Sequence, residues 1–337
     1  MYRPKLDLMQ TERAIKFLKN AFEGALSGAL NLTRISAPLF VTRDSGLNDN
    51  LNGVERPVSF EVKALGEEVE VVHSLAKWKR YALAKYKFER YSGLYTDMNA
   101  IRRDEDMDNL HSVYVDQWDW EVVIGREDRT EEYLKSTVCK IYGAVRAAAM
   151  LLRAQYPVLE NNLPEEIKFI TAQQLEDMFP SLTPKERERQ FVKRFGAAFV
   201  MGIGGRLRSG QKHDGRAPDY DDWSLNGDII LYYAPLDCAF EISSMGIRVD
   251  EVSLINQLKA ENCLERLNYP FHKALAAGEL PLTMGGGIGQ SRLSMFLLEK
   301  LHIGEVQVSV WDKKNLDYCK EHGIEPVSYT HLTLPTT

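Results

Sequence analysis

Strand-forming segments that fall into pairs, separated by amphipathic helical stretches, predict an α+β protein whose strands pair as antiparallel hairpins. Two of these pairs flank the middle of the chain. Gly93–Arg102 and Leu110–Glu121 are rich in β-branched and aromatic residues around a polar connection, and Asn226–Tyr233 and Cys238–Ser244 are separated by a Pro-Leu-Asp turn. The third observation is helical periodicity. Ile15, Leu18, Phe22 and Leu26 form one apolar stripe, and Leu134, Val138, Ile141, Val145 and Leu152 form another.

Taken in order, Thr11–Leu30 is predicted helical, and Leu32–Val41 extended, with Pro38 at an edge or interface. Asp44–Gly53 is rich in turn residues and holds Asp49 between two asparagines. Val58–Ala64 and Val69–His73 form a hairpin around Gly66, and Ser74 caps a helix beginning at Leu75. Lys77, Lys79 and Arg80 on that helix have two readings, an ordinary solvated basic face or an anion site near a helix start.

The segment Leu110–Glu121 is the most informative. Alternation puts Val113, Val115, Gln117, Asp119 and Glu121 on one face and Tyr114, Asp116, Trp118 and Trp120 on the other. With the aromatic mass opposite, the Gln117/Asp119 row is covered and must find partners in the protein or in a ligand. Arg102, at the end of the preceding strand, is well placed for bidentate contact with a phosphate or carboxylate.

Thr130–Tyr156 reads as a long core helix, Ile167–Thr171 as a short strand, and Thr183-Pro-Lys-Glu186 as a capping box with Gly196 as the stop. Ala198–Ile203 is a buried-type strand, and its Gly204-Gly205 matches no Walker or dinucleotide motif, which excludes a Rossmann reading. On the Cys238–Ser244 strand, alternation puts Glu241 with Ser243, and Phe240 and Ile242 with Ser244. Asp228 and Glu241 on neighbouring strands are either exposed edge carboxylates or a Mg²⁺ pair. Met284–Arg292 reads as a helix opening out of a glycine run, an arrangement suited to an anion. Arg292 in its first turns opposes the helix dipole, so a ligand or a distant carboxylate explains it better.

Composition bounds the rest. Of 337 residues, 44% are hydrophobic and 27% charged, as in ordinary globular proteins, and no repeat or linker divides them. The formal charge of −6 argues against a protein devoted to nucleic-acid backbones. No apolar run reaches the roughly 20 residues of a membrane span. Cys139, Cys238, Cys263 and Cys319 are scattered, so neither a zinc site nor a disulfide framework is indicated, and the cytoplasm is the expected location.

Five stretches together carry a resemblance: Val72–Arg80, His111–Glu121, Arg216–Trp223, Phe240–Arg248 and Gly285–Arg292. In this order, from about Leu6 to Trp311, they closely resemble ammonia-dependent asparagine synthetase, the aspartate–ammonia ligases. The resemblance implies a fold like the class II aminoacyl-tRNA synthetase catalytic core, an antiparallel sheet flanked by helices, acting as a homodimer. It implies the synthesis of asparagine from aspartate, ammonia and ATP, with AMP and pyrophosphate released through a β-aspartyl-adenylate.

By the same resemblance, Arg102 bridges carboxylate and α-phosphate and Arg292 holds the distal phosphates and adenine. Lys79 takes the substrate α-carboxylate, while Ser74, Gln117, Asp119 and Ser244 line the amino-acid pocket. His73, Ser112, Val115, Arg216 and Ser243 attend the nucleotide. Asp228 and Glu241 hold Mg²⁺, and either Asp49 or Asp221 receives the ammonium proton. Two other classes stay open: a class II aminoacyl-tRNA synthetase-like enzyme, against which the acidic loop Asp104–Asp108 counts, and a catalytically silent ligand sensor. Free ammonia rather than glutamine is the expected nitrogen donor, because no cysteine has a nucleophile context. Residues 1–326 are expected to form one catalytic domain, and 327–337 to be a non-native tail resembling a translated cloning adaptor.

Overall fold

The structure, a computed structural model, describes residues 2–48 and 55–327. Its elements in chain order are α1 (Leu8–Leu30), β1 (Leu32–Arg34), β2 (Phe40–Thr42), β3 (Ser59–Val62), β4 (Glu67–Val71), α2 (Ala76–Lys85), β5 (Gly93–Ile101), β6 (Tyr114–Val123), α3 (Glu131–Gln155), β7 (Lys168–Thr171), α4 (Ala172–Met178), α5 (Pro184–Phe195), β8 (Ala197–Met201), β9 (Asp221–Tyr233), β10 (Cys238–Arg248), α6 (Glu251–Ala260), α7 (Pro270–Ala276), β11 (Thr283–Gly289), α8 (Gln290–Leu297) and α9 (Lys313–His322).

Eight strands form one sheet in the order β1-β5-β6-β11-β10-β9-β8-β7, and β2-β4-β3 form a small second sheet. The large sheet is mixed rather than purely antiparallel. Its inner pairs are antiparallel, but β1 runs parallel to β5 and β7 parallel to β8. Hairpin signals reveal only pairs joined by short turns. These two edge strands arrive over longer connections, so their direction escaped the sequence reading.

One face of the sheet is covered by α1, α3 and α8. Asp7 caps α1 through a capping box with Gln10, and Leu18, Phe22 and Leu26 then point at Trp118 and Trp120 of β6. The α3 stripe of Leu134, Val138, Ile141, Val145 and Leu152 joins the same core. Burying these large side chains contributes about 1.5–3 kcal/mol each, which makes this face the anchor for the strands. On the other face, α4 and α5 cover β7, β8 and β9, while α2 packs over β5, β6 and β11.

Three readings need correction. The stretch Leu32–Val41 is two strands, β1 in the large sheet and β2 in the small one, with Pro38 between them. The glycine run is strand β11, in register between β6 and β10, and the helix begins only at Gln290. On β10, the register shifts between Glu241 and Ser243: Glu241 pairs with Ile230 and Ser244 with Asp228. Ile230 and Asp228 share a face of β9, so this β-bulge puts Glu241 with Ser244, not with Ser243.

Candidate active site

The covered polar row of β6 opens onto a cavity of about 480 Å³ on the α2 face of the sheet. Its floor is β11. Gly289 pairs with Gln117, Gly287 with Asp119 and Gly285 with Glu121, so three glycines share the face of the polar row. None has a left-handed φ. Their requirement is space: a Cβ at Gly287 would lie 2.4 Å from Gln117 Oε1 and 2.7 Å from Asp119 Oδ1. At Gly285 it would lie 2.6 Å from Arg248 Nη2 and 2.7 Å from Glu121 Oε2. The strand is thus a bare lane along which neighbouring side chains and a ligand can lie.

Helix α2 forms one wall, and its basic run is not a solvated face. Lys77, Lys79 and Arg80 are all buried, Lys79 to 1% exposure. Lys79 and Arg80 follow Ala76 by three and four residues and precede Leu83 by four and three. That spacing places them in the inward stripe, a signal outweighed in the sequence reading by their charge. Lys79 Nζ pairs with Asp119 at 3.3 Å and donates to the Gly286 carbonyl at 3.1 Å. Burial pulls its pKa below the ordinary lysine range, despite the attraction of Asp119. Ser74 lies one residue ahead of the helix cap at Leu75, but its hydroxyl still accepts the Ala76 N–H at 3.1 Å.

Beyond the lane, β10 and β9 contribute Ser244, Arg248, Asp221, Glu241 and Asp228. Arg248 is a buried cation between two acids, 3.1 Å from Glu121 and 2.5 Å from Asp221. Asp228 is paired with Arg216. Burial pushes the Asp228 carboxyl up to about 7 in spite of Arg216, with Glu241 adding to the rise. Burial would raise Glu241 too, but Arg292, Lys185 and Arg216 outweigh it and hold it low. Two acids on adjacent strands, one readily protonated, are a hard-oxygen donor set. Among the described residues no cluster of three or more His, Cys, Asp or Glu could hold a metal. The pair therefore fits Mg²⁺ shared with substrate phosphates, not a closed protein cage.

The remaining predicted residues divide cleanly. Ser74, Lys79, Arg102, Ser112, Val115, Gln117, Asp119, Arg216, Asp221, Glu241, Ser243, Ser244 and Arg292 all line this cavity. Asp228 is 2% exposed beneath it, next to Ser244. His73 is fully buried just before Ser74, its N–H donating to Asn48 Oδ1 at 2.9 Å. Ser243 Oγ is buried without a hydrogen-bond partner among the described residues. Asp49 lies outside the described residues. Ser112 precedes β6, which starts at Tyr114 rather than Leu110, and its hydroxyl donates to Gln307 Oε1 at 2.6 Å.

Arg102 is weakly committed among the described residues. Its N–H closes the hairpin on the Val113 carbonyl, yet its guanidinium Nε is buried with no partner among the described residues, and the carboxylate it pairs with, Glu105, is 3.9 Å away. Arg292 donates to the Glu241 backbone carbonyl at 3.0 Å.

A family model for aspartate-ammonia ligase matches residues 9–323, past Trp311 and through α9. The chain belongs to the aspartate–ammonia ligase family. It is 60% identical to the ligase of Clostridium perfringens strain 13, over 96% of both chains, and 61% identical to that of Ruminiclostridium cellulolyticum, over 96% of this chain and 97% of the relative. Among solved structures, asparaginyl-tRNA synthetase from Pyrococcus horikoshii complexed with asparaginyl-adenylate superposes with a TM-score of 0.65 at 15% identity, covering 88% of this chain and 68% of that one. The Entamoeba histolytica enzyme, with a TM-score of 0.62, is matched over 66% of its length. These likenesses identify the fold as a class II synthetase core. The chain is accordingly a ligase.

Sequence reasoning missed several residues that line or brace this cavity. Arg248 and Glu121 were quoted within motifs without a role, although alternation already set Arg248 beside Ser244 and Gly246. Asp116, on the aromatic face, accepts from Ser291 N at 3.0 Å and Ser291 Oγ at 2.8 Å, locking the start of α8. Lys185 at the start of α5 lines the cavity and was read only as part of a capping box.

Proposed function

We propose that this cavity is where the ligase activates the side-chain carboxylate of aspartate with ATP and delivers it to ammonia. The observation that carries the assignment is Arg102, a half-buried, weakly held guanidinium lining a polar, glycine-floored cavity. Attack of a carboxylate oxygen on the α-phosphorus brings two anions together, and a weakly paired cation can offset that repulsion as charge develops. Arg102 would bridge the two groups, and Arg292 would hold the distal phosphates and the adenine, with His73, Ser112, Val115, Arg216 and Ser243 around the nucleotide.

Lys79 would take the aspartate α-carboxylate. Gln117, Asp119, Ser74 and Ser244 would orient the rest of the amino acid, Asp119 through the ammonium group. Asp228 and Glu241 would hold Mg²⁺, which when bound would offset phosphate charge. The bond from the aspartyl oxygen to the α-phosphorus forms as pyrophosphate leaves, giving the β-aspartyl-adenylate. Ammonia then displaces AMP. Asp221 is engaged with Arg248, and accepting a proton would break that buried pair. We therefore assign Asp221 to attracting ammonium and Asp49 to removing its proton.

The active unit proposed is a homodimer in the cytoplasm, with residues 1–326 as its single catalytic domain. Leu39, Phe40 and Phe60, exposed on and beside the small sheet, support self-association. No helix among the described residues is long and apolar enough to cross a membrane. Incubation with ATP, aspartate and ammonium should yield AMP and asparagine. ADP in place of AMP, or no asparagine, would reject the adenylate route. Arg102→Ala should abolish AMP formation, with Arg102→Lys rescuing poorly because ammonium cannot reproduce the guanidinium fork. Near-normal turnover of Arg102→Ala would remove this residue from the mechanism.

A further inference from the structure

Lys185 is the second residue of α5, directly after Pro184 and the Thr183–Glu186 capping box. A cation there opposes the helix dipole and gains nothing from its own helix. Its Nζ pairs with Glu188 and with Asp214, each at 3.4 Å, and the side chain is 64% exposed. It nevertheless lines the cavity, because α5 packs across β9 and β10, the strands that carry Asp228 and Glu241.

Among the described residues, six lysine and arginine side chains line the cavity: Lys79, Arg102, Lys185, Arg216, Arg248 and Arg292. Lys79, Arg216 and Arg248 are committed to Asp119, Asp228 and the Glu121/Asp221 pair. Arg102 and Arg292 already have work on the nucleotide in the reading above. Lys185 is the remaining cation, its two ion pairs screened because its own side chain is 64% exposed, and it is held by an element of the metal-pair side. Burial would lower its pKa, but Glu188, Glu241, Asp214 and Asp228 outweigh this and keep it charged.

We propose that Lys185 is a catalytic residue that exchanges Glu188 and Asp214 for the β- and γ-phosphates of ATP and holds pyrophosphate as it departs. In the step it serves, an aspartate β-carboxylate oxygen forms a bond to the α-phosphorus. The bond from that phosphorus to the α,β-bridging oxygen breaks, and pyrophosphate leaves with the electron pair. No proton moves; the fixed charge of Lys185 offsets the negative charge gathering on the leaving group. The proposal rests on the nucleotide placement given above and adds the leaving-group residue to it.

The test uses the full chain with Lys185→Gln and Lys185→Arg, and inhibition by magnesium pyrophosphate and by AMP as readouts. AMP lacks the β- and γ-phosphates and controls for general damage. Lys185→Gln should weaken pyrophosphate inhibition and raise the KM for ATP by about tenfold or more, the scale of a lost charge-assisted hydrogen bond. AMP inhibition and the KM for aspartate should stay within about twofold of the parent, and Lys185→Arg should recover most of the loss, since a flexible cation suffices for one phosphate group. An unchanged pyrophosphate constant in Lys185→Gln, or pyrophosphate and AMP constants weakening together, would overturn the proposal. Arg292→Gln run in parallel separates the two levels. If it loses pyrophosphate while Lys185→Gln does not, only Lys185 is misassigned; if neither does, the nucleotide placement fails.

Discussion

Replacing Arg248 by methionine tests whether the floor of the site is held by its buried charges. Arg248 is 3% exposed, with Glu121 fully buried and Asp221 at 1%. Glu121 also accepts from Thr283 Oγ1 at 2.7 Å, and Gly246 and Gly285 leave the room the three charges occupy. Removing the cation leaves two uncompensated buried carboxylates, a loss of about 3–5 kcal/mol. For 337 residues the unfolding entropy is about 0.7 kcal/mol/K, so a loss of about 4 kcal/mol should lower the melting midpoint by about 6 °C. Adding Glu121→Gln and Asp221→Asn to Arg248→Met should return more than half of the lost midpoint. Differential scanning calorimetry of the three proteins decides it. A midpoint within about 1 °C of the parent for the single variant would refute the claim that this triad organises the sheet.

Gly287→Ala should raise the KM for aspartate by at least about tenfold while costing little stability, because the new methyl meets the ends of Gln117 and Asp119 rather than backbone. Gly93→Ala, whose Cβ would lie 2.1 Å from the Glu121 carbonyl oxygen, should instead lower soluble yield and melting midpoint; similar behaviour of the two would contradict the lane. Asp219 is buried against Lys77 at 3.1 Å, Arg266 at 3.0 Å and His272 at 2.9 Å. Burial would raise its pKa, but Lys77, His272 and Arg266 outweigh it and hold the carboxyl far below the usual range. Its stabilisation is therefore complete above the unfolded value of about 3.9 and is lost as pH falls through the folded one. Denaturation of Asp219→Asn should show a deficit of about 3–5 kcal/mol at pH 6 that narrows below pH 4; a deficit constant with pH would reject the pairing. Asp49→Asn should still form AMP in a single turnover yet release asparagine slowly, whereas Asp221→Asn should raise the KM for ammonium; identical effects would merge the two roles. Glutamine supporting synthesis in ammonia-free buffer as well as ammonium does would remove free ammonia as the nitrogen donor.

What could be read from the chain followed its local periodicities. The two faces of β6 were legible because a period of two with tryptophans on one side leaves no ambiguity. The α3 stripe and the Thr183 capping box were legible for the same reason, each being settled within a few residues. The glycine run was not. Glycine has low strand propensity, and only the non-local fact that β6 and β10 both pair with this segment makes it a strand. The bulge at Glu241–Ser243 depends on the partner register of β9, which no alternation rule contains, so the sequence put Glu241 with the wrong serine. Lys77, Lys79 and Arg80 were weighed by charge, whereas their partners come from distant parts of the chain: Asp219, Asp119, and the Val249 and Pro281 carbonyls. Val327, the first residue of the expected tail, donates its N–H to the Gly304 carbonyl at 2.7 Å.

The position of β11 also bears on how the protein is made. Residues 283–289 supply the strand between β6 and β10, yet in chain order they follow both the β5–β6 and the β9–β10 hairpins. Until they emerge, the β5–β6 and β9–β10 hairpins can form but cannot join, and each presents an unpaired edge to the cell. Assembly of the sheet thus includes an insertion step, and the pocket comes into being only when the two halves close on that strand. A chain stalled before Thr283 should be sticky rather than merely inactive, and chaperone dependence should fall once residues 283–289 have emerged.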